Sequence, residues 1–291
     1  MPDSNVTVTA EFTYADGVGA SVIGHSVSLD GDIAVNFYME LDPEIAQSET
    51  AYMQFTIPDT SPEYQEQTVY IKDVEPIEGG YYVFKCRVAA KDMNSNITAQ
   101  ILGVDKETTV YTYSVKDYAD WLIEHKNDSA AYTKAAPLVK KMLRYGAYAA
   151  NYFSDDEPLA APDVEIPESG YVLTGIADTA FAGATLSLKT KTSLSLYFSS
   201  KQPLTLVCEG SVTETQSKGS EYVIRIRDIA PNELDSVFTV NVSDGVHECT
   251  ISYSTLTYCY LAQSTDDSKL QGTVKALYLF HLAAKDYFAS L

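Results

Sequence analysis

The sequence predicts a mainly β, α+β protein built as two homologous β-sandwich-like domains, each closed by a C-terminal helical segment. Three observations predict it. Val139-Lys140-Lys141-Met142-Leu143-Arg144-Tyr145, leading on to Ala149 and Tyr152-Phe153, corresponds at one constant offset to Val274-Lys275-Ala276-Leu277-Tyr278-Leu279-Phe280, leading on to Ala284 and Tyr287-Phe288. Upstream landmarks recur in the same order: Ser28-Leu29 with Ser187-Leu188, Phe37-Tyr38 with Leu196-Tyr197, Tyr82-Val83 with Tyr222-Val223, and Tyr113-Ser114 with Tyr253-Ser254. A chain of 291 residues suits two domains of roughly 150 each, and the repeat is longer than the 20–50 residues of a solenoid unit. The boundaries that follow are a first β-rich repeat at 1–153, a linker at 154–168 and a diverged second repeat at 169–291.

The elements can be taken in order. Val6, Val8, Ala10, Phe12 and Tyr14 alternate with polar neighbours, the period of a half-buried strand. Val27-Ser28-Leu29 runs into the turn pair Asp30-Gly31, and the β pattern resumes over 33–39. Further strands are predicted at 51–57, 68–71, 81–89 and 97–102, with Gly79-Gly80 marking a turn. The period then changes. Ser114 is a helix N-cap, and Val115, Tyr118, Ala119 and Leu122 form an apolar face at helical spacing. A polar interval from His125 to Ser129 ends that helix. A second helix is predicted from Pro137 to about Phe153, where Gly146 and the alanines around it would let a neighbouring backbone approach closely. Three prolines and six acidic residues in 154–168 predict an extended tether. Strands are then expected at 185–188, 193–198, 204–208, 222–227, 237–242 and 248–253, and a last helix over about 268–289.

Composition narrows the function. The net charge is −20, shared as −11 over 1–153 (11 basic minus 22 acidic) and −9 over 154–291 (9 minus 18). An even acidic surface argues against nucleic acid or anionic membrane as partner, since both need clustered Lys and Arg. No apolar run is long enough to span a bilayer. The start, Met1-Pro2-Asp3-Ser4-Asn5, lacks the basic and apolar regions of a signal peptide, and the expectation is a trimmed segment of an extracellular or cell-surface protein. Cys86, Cys208, Cys249 and Cys259 have no zinc or redox spacing and read as buried free thiols, with a Cys208–Cys249 bridge open if their strands are neighbours.

Residues 28–39 (Ser-Leu-Asp-Gly-Asp-Ile-Ala-Val-Asn-Phe-Tyr-Met), 111–119 (Tyr-Thr-Tyr-Ser-Val-Lys-Asp-Tyr-Ala) and 142–150, with Leu-Arg-Tyr-Gly-Ala-Tyr-Ala its most distinctive part, resemble a module of unknown function that recurs in large secreted or surface proteins of anaerobic gut bacteria. The resemblance covers most of 20–153. It implies an extracytoplasmic setting and no particular activity. The second half departs from the pattern: Phe280-His281-Leu282 stands for Tyr145-Gly146-Ala147, and Lys189-Thr190-Lys191 for Asp30-Gly31-Asp32.

Candidate sites are few. His25, His125, His247 and His281 are scattered without a paired zinc spacing, and no GxSxG elbow, GxGxxG turn or Walker loop occurs. Asp30 and Asp32, with Glu40 and Asp42, could supply oxygens to Ca²⁺, although Asp-Gly is more often simply a hairpin turn. Tyrosine is abundant, at 22 residues against one Trp, and a Tyr ring can pack on a sugar while its hydroxyl bonds a sugar oxygen. Tyrosines on repeated landmarks read as core, as does Trp121. The unmatched Tyr64, Tyr70, Tyr81, Tyr132 and Tyr148 are the ligand-binding candidates. The expected function is a non-enzymatic structural or interaction module, acting in adhesion or substrate capture, with a polysaccharide or another surface protein as partner. The alternatives are a carbohydrate-binding module using exposed Tyr and an acidic hydrolase, which would need two carboxylates across a cleft.

Overall fold

A computed structural model describes residues 19–28, 33–58, 60–173, 178–189 and 192–291. The strand expected over 6–14 and the Asp30–Asp32 turn lie outside the described residues. Among the described residues the protein is mostly β, in four antiparallel sheets with helices, and it divides into two compact units after Gly146.

The first unit contains β1 (Ala20–Ser28), β2 (Ala34–Leu41), α1 (Pro43–Ala46), β3 (Tyr52–Thr56), α2 (Pro62–Gln65), β4 (Glu66–Tyr70), β5 (Tyr82–Arg87), β6 (Ile97–Leu102), β7 (Val110–Tyr113) and α3 (Val115–Glu124). It also holds most of α4 (Ala130–Tyr152). One sheet has the order β1-β2-β5, the other β4-β3-β6-β7. Their inward rows meet where Phe37 of β2 lies 5.3 Å, centroid to centroid, from Phe55 of β3. Both rings are fully buried, and each such side chain contributes on the order of 1.5–3 kcal/mol.

β1 is longer than its sequence suggests because two of its positions break the simple alternation. Gly24 follows a register shift after Val22. Ser26 is polar yet buried, and accepts a 2.9 Å hydrogen bond from Asn36 Nδ2, which also donates to Ser28. His25 turns toward the core. Its ring stacks on Tyr113 at 3.6 Å and meets the edge of Phe37 at 4.8 Å, while Nε2 has no hydrogen-bond partner. Burial drops its pKa to about 4.

The helices begin where hydroxyl caps stand. Ser114 Oγ accepts from the Asp117 amide at 3.0 Å, and Val115, Tyr118, Ala119 and Leu122 form the buried face that the spacing predicts. α4 differs from expectation: it starts at Ala130, and Pro137 lies inside it. Ser129 makes the earlier start possible, its hydroxyl accepting from the Tyr132 amide and its carbonyl from that of Thr133, both at 3.1 Å. Pro137 removes one donor, but buried Ala135, Leu138, Val139, Met142 and Tyr145 carry the helix past it.

The second unit contains the end of α4, β8 (Val172–Leu173), β9 (Thr179–Leu188), β10 (Thr192–Ser200), β11 (Thr205–Val207), β12 (Thr213–Lys218), β13 (Glu221–Ile229), β14 (Phe238–Ser243), β15 (Glu248–Tyr253), α5 (Thr255–Ala262) and α6 (Ser268–Ala289). Its sheets have the orders β12-β13-β10-β9 and β11-β14-β15-β8. The series β1-β2-β5 and β3-β6-β7 thus recurs as β9-β10-β13 and β11-β14-β15. One strand changes sheet: β4 pairs with β3, whereas β12 pairs with β13. Ser254 caps α5 by accepting from the Thr257 amide at 3.0 Å, as Ser114 caps α3.

Residues 154–168 contain no helix or strand, and they are held within the second unit rather than left as a free tether. Asn151 accepts from the Leu159 amide and donates to the Glu157 carbonyl, and the Tyr148 hydroxyl donates to the Ala160 carbonyl. Gln263 brackets Ile166, accepting from its amide at 2.9 Å and donating to its carbonyl at 3.0 Å. Ile166 is buried while Asp155, Asp156 and Glu157 are exposed, so apolar anchors and backbone bonds override the acidic composition.

Both units join sheet to helix through a 3₁₀ turn. Ala90–Asp92 leads to Met93, whose carbonyl accepts from the Lys116 amide at 3.0 Å; Pro231–Glu233 leads to Leu234, whose carbonyl accepts from the Leu256 amide at 2.7 Å. The later helix closes on the same turn by different means. A Cβ on Gly146 would stand 3.2 Å from the Ala90 carbonyl oxygen and 2.7 Å from Met93 Sδ, so only glycine permits that approach. In the second unit buried His281 bridges the gap, its Nδ1 donating to the Pro231 carbonyl at 2.8 Å. Burial lowers the His281 pKa, which keeps the ring neutral, and Asp235 beside it is bound to Lys285.

Two tests follow. Gly146→Val overpacks the helix–turn contact and lowers stability by about 1–3 kcal/mol, read as a lower urea midpoint. His25 binds protons more readily in the unfolded chain, at about 6.5, than in the fold, at about 4. Stability is therefore lost as pH falls from 6.5 to about 4, with no further contribution below or above that window. The stability difference between native protein and His25→Phe changes across that interval; parallel pH curves would refute the assignment.

Candidate functional site

The outward side of the β4-β3-β6-β7 sheet collects the binding-competent side chains of the first unit. Alternation sends Met53 and Phe55 of β3 inward and leaves Tyr52, Gln54 and Thr56 on the other side. Antiparallel register sets Tyr70 opposite Tyr52, and Thr68 opposite Gln54. On the other flank, Leu102 faces Tyr52, Gln100 faces Gln54, and Thr98 faces Thr56. Val110 and Thr112 of β7 complete these rows. The result is an aromatic end, an amide row across the middle and a hydroxyl row beyond it.

The Tyr52 and Tyr70 rings lie 5.7 Å apart, tilted by 55°. Tyr70 is 45% exposed, and Lys72 Nζ stands 5.9 Å from its centroid while pairing with Glu49 at 3.7 Å. Gln100 donates to the Thr108 carbonyl at 3.2 Å, which orients its amide. Neither the Gln54 amide nor the two tyrosine hydroxyls have a hydrogen-bond partner among the described residues. Aromatic faces beside the open Gln54 amide and the tyrosine hydroxyls can take the C–H face of a sugar ring together with its hydroxyls.

Of the five tyrosines singled out from the sequence, Tyr70 stands on this face. Tyr64 lies half-buried on α2, and Tyr81 folds over the Gly79-Gly80 turn, its ring 2.7 Å from where a Gly79 Cβ would be. Tyr132 meets the edge of Trp121, which stacks on His125 at 4.4 Å. Tyr148 is buried in the second unit, its hydroxyl bonded to the Ala160 carbonyl, so it does not present itself to a ligand. The sequence reading passed over Tyr52, Gln54 and Gln100. The signal was available in Tyr52-Met53-Gln54-Phe55-Thr56, whose alternation places Tyr, Gln and Thr together, but the partners across the sheet depend on register.

The corresponding outward face of the second unit carries Val207 beside Asn241, Thr250 beside Asn241, and Thr239 beside Ser252. The Thr239 and Ser252 hydroxyls bond each other at 3.2 Å, and these rows hold no aromatic ring.

Asp30 and Asp32 lie outside the described residues, and Asp42, a suggested companion, pairs with Lys106 at 2.8 Å. Among the described residues, no group of three or more His, Cys, Asp and Glu side chains is placed to hold a metal ion. Asp92, the acidic side chain enclosed by the described core, accepts from the Thr60 hydroxyl at 2.5 Å and from Lys91 at 2.7 Å. No described helix is long and apolar enough to cross a membrane. No known protein family's profile matches the chain, and no curated protein is similar enough to be counted a relative.

The four cysteines are free and buried. Cys249 lies on β15 and Cys208 follows β11, with β14 between those strands. Two strand spacings, about 9.6 Å, exceed what a disulfide bridges. Burial raises the thiol pKa of Cys86 and Cys249, and pushes that of Cys259 up to about 12. A thiol-reactive chromogenic disulfide therefore labels the native protein slowly and titrates four thiols once it is unfolded. Rapid labelling of the native chain would contradict this packing.

Proposed function

We propose that the chain is a non-enzymatic extracytoplasmic interaction module whose first unit captures neutral carbohydrate on the outward β4-β3-β6-β7 face. The observation that carries this reading is the Tyr52–Tyr70 pair aligned with the Gln54–Gln100 amide row on one open sheet face. Each unit is read as a β-sandwich-like domain homologous to the other, which the recurring strand order and the matched helix caps support. The described residues of the second unit place no aromatic pair on the β11-β14-β15 rows, and this unit serves as spacer or as a protein contact. An extracytoplasmic setting rests on the resemblance of residues 28–39, 111–119 and 142–150 to the surface-protein module.

A glycan array followed by calorimetry tests the proposal. Tyr52→Ala and Tyr70→Ala each weaken binding of the array-selected neutral glycan at least about tenfold, or roughly 1.4 kcal/mol, without shifting the unfolding midpoint. Absence of binding to any neutral glycan at millimolar concentration, or turnover of a glycoside, ester or peptide by the purified chain, overturns it.

A further inference from the structure

We propose that a second surface of the first unit, the groove at the α3–α4 corner, binds an acidic carbohydrate through three lysines. The groove has a volume of about 310 Å³ and is lined by Lys126, Thr133, Ala136, Pro137, Lys140 and Lys141. The chain carries 40 acidic side chains against 20 Lys and Arg, so a lysine readily finds a carboxylate. Lys72, Lys91, Lys106, Lys116, Lys201 and Lys285 each do so within 4.0 Å. Lys126, Lys140 and Lys141 have no such partner among the described residues; Lys218, Lys269 and Lys275 also lack a carboxylate, but the first three are gathered in one groove. Three like charges gathered in one groove repel one another, and a bound anion converts that repulsion into attraction.

The walls suit a sugar. Pro137, Lys140, Lys141 and Arg144 follow helical i, i+3, i+4, i+7 spacing, so Arg144 continues the basic row one turn onward. The exposed Pro137 ring and Ala136 supply an apolar floor between the ammonium groups. The Thr133 hydroxyl donates to the Lys126 carbonyl at 2.6 Å and the Ser129 carbonyl at 3.0 Å, fixing the loop that presents Lys126. No aromatic ring lines the groove, so the base stacking that single-stranded nucleic acid uses is not provided. Helical walls keep their backbone donors and acceptors for themselves, and an extended acidic peptide finds no strand edge there to pair with. What remains is recognition by side chains alone, of a ligand with an apolar ring face and negatively charged oxygens in a site at the small end of ligand pockets. Carboxylates of uronate residues and sulfate esters both meet that description. The −20 net charge gives no long-range attraction, so binding depends on the local lysines and weakens as salt rises.

Affinity electrophoresis and calorimetry of the full chain against polygalacturonate, dextran sulfate, neutral dextran and polyglutamate test the proposal. Retention by polygalacturonate alone assigns the carboxylate source, and by dextran sulfate alone the sulfate source; retention by both supports the shared chemistry. Lys126→Gln, Lys140→Gln and Lys141→Gln combined lose at least about tenfold in affinity. The corresponding Lys→Arg triple retains it, and circular dichroism reports both variants folded. The site is independent of the sheet face, so Tyr52→Ala with Tyr70→Ala leaves polyanion binding unchanged while abolishing capture of neutral glycan. The proposal is overturned if neither polyanionic glycan binds, if the Gln triple binds within twofold of native, if neutral dextran binds the Tyr52→Ala, Tyr70→Ala double variant as tightly as the polyanions do, or if polyglutamate binds as tightly as the glycans.

Discussion

One backbone hydrogen bond in each unit fixes where the helices meet the sheets. The carbonyl that follows the 3₁₀ turn, Met93 or Leu234, accepts from an amide in the first turn of the next helix, Lys116 or Leu256. That amide has no partner inside its own helix, and the turn carbonyl needs one as it leaves solvent. The helix therefore starts at one place relative to the turn, and Ser114 or Ser254 caps the adjoining amide. Within each unit, the helix that follows takes its starting point from that bond.

The closing helix then reaches the same turn by two solutions. Gly146 omits a side chain and lets Met93 and the Ala90 carbonyl come close; His281 fills the space and donates to the Pro231 carbonyl. The glycine solution costs backbone entropy and gains close packing. The histidine solution spends a ring nitrogen on the turn carbonyl, in a setting where burial lowers the ring's pKa. The two units thus make a comparable helix–turn contact with different residues.

Both proposed binding surfaces lie on side chains that the fold leaves uncommitted. The sheet's inner side is closed by Met53 and Phe55 against Phe37 of the facing sheet, which leaves Tyr52, Gln54 and Gln100 on the outward side. At the helix corner, a chain with twice as many acids as bases leaves three lysines without carboxylates. The first surface offers π faces and amides to an uncharged ligand; the second offers point charges to an acidic one. Their separation in chemistry makes them separately measurable.

Much of the local architecture was legible in the residues. Alternation in Tyr52-Met53-Gln54-Phe55-Thr56, the Ser114 cap and the apolar spacing of Val115, Tyr118, Ala119 and Leu122 each depend on neighbours within one turn or strand, so sequence alone determined them. The start of α4 misled because Pro137 is a strong local signal that the Ser129 cap and the buried stripe beyond it outweigh. The acidic 154–168 segment misled in the same way, since Gln263, far along the chain, supplies the bonds that hold Ile166. Only tertiary structure decided that Tyr70 stands beside Tyr52, that Tyr148 is buried, and that Lys126 joins Lys140 and Lys141 in one groove. Each is a pairing between segments whose partner is set by sheet register or helix packing, and neither quantity is encoded by any residue taken with its immediate neighbours.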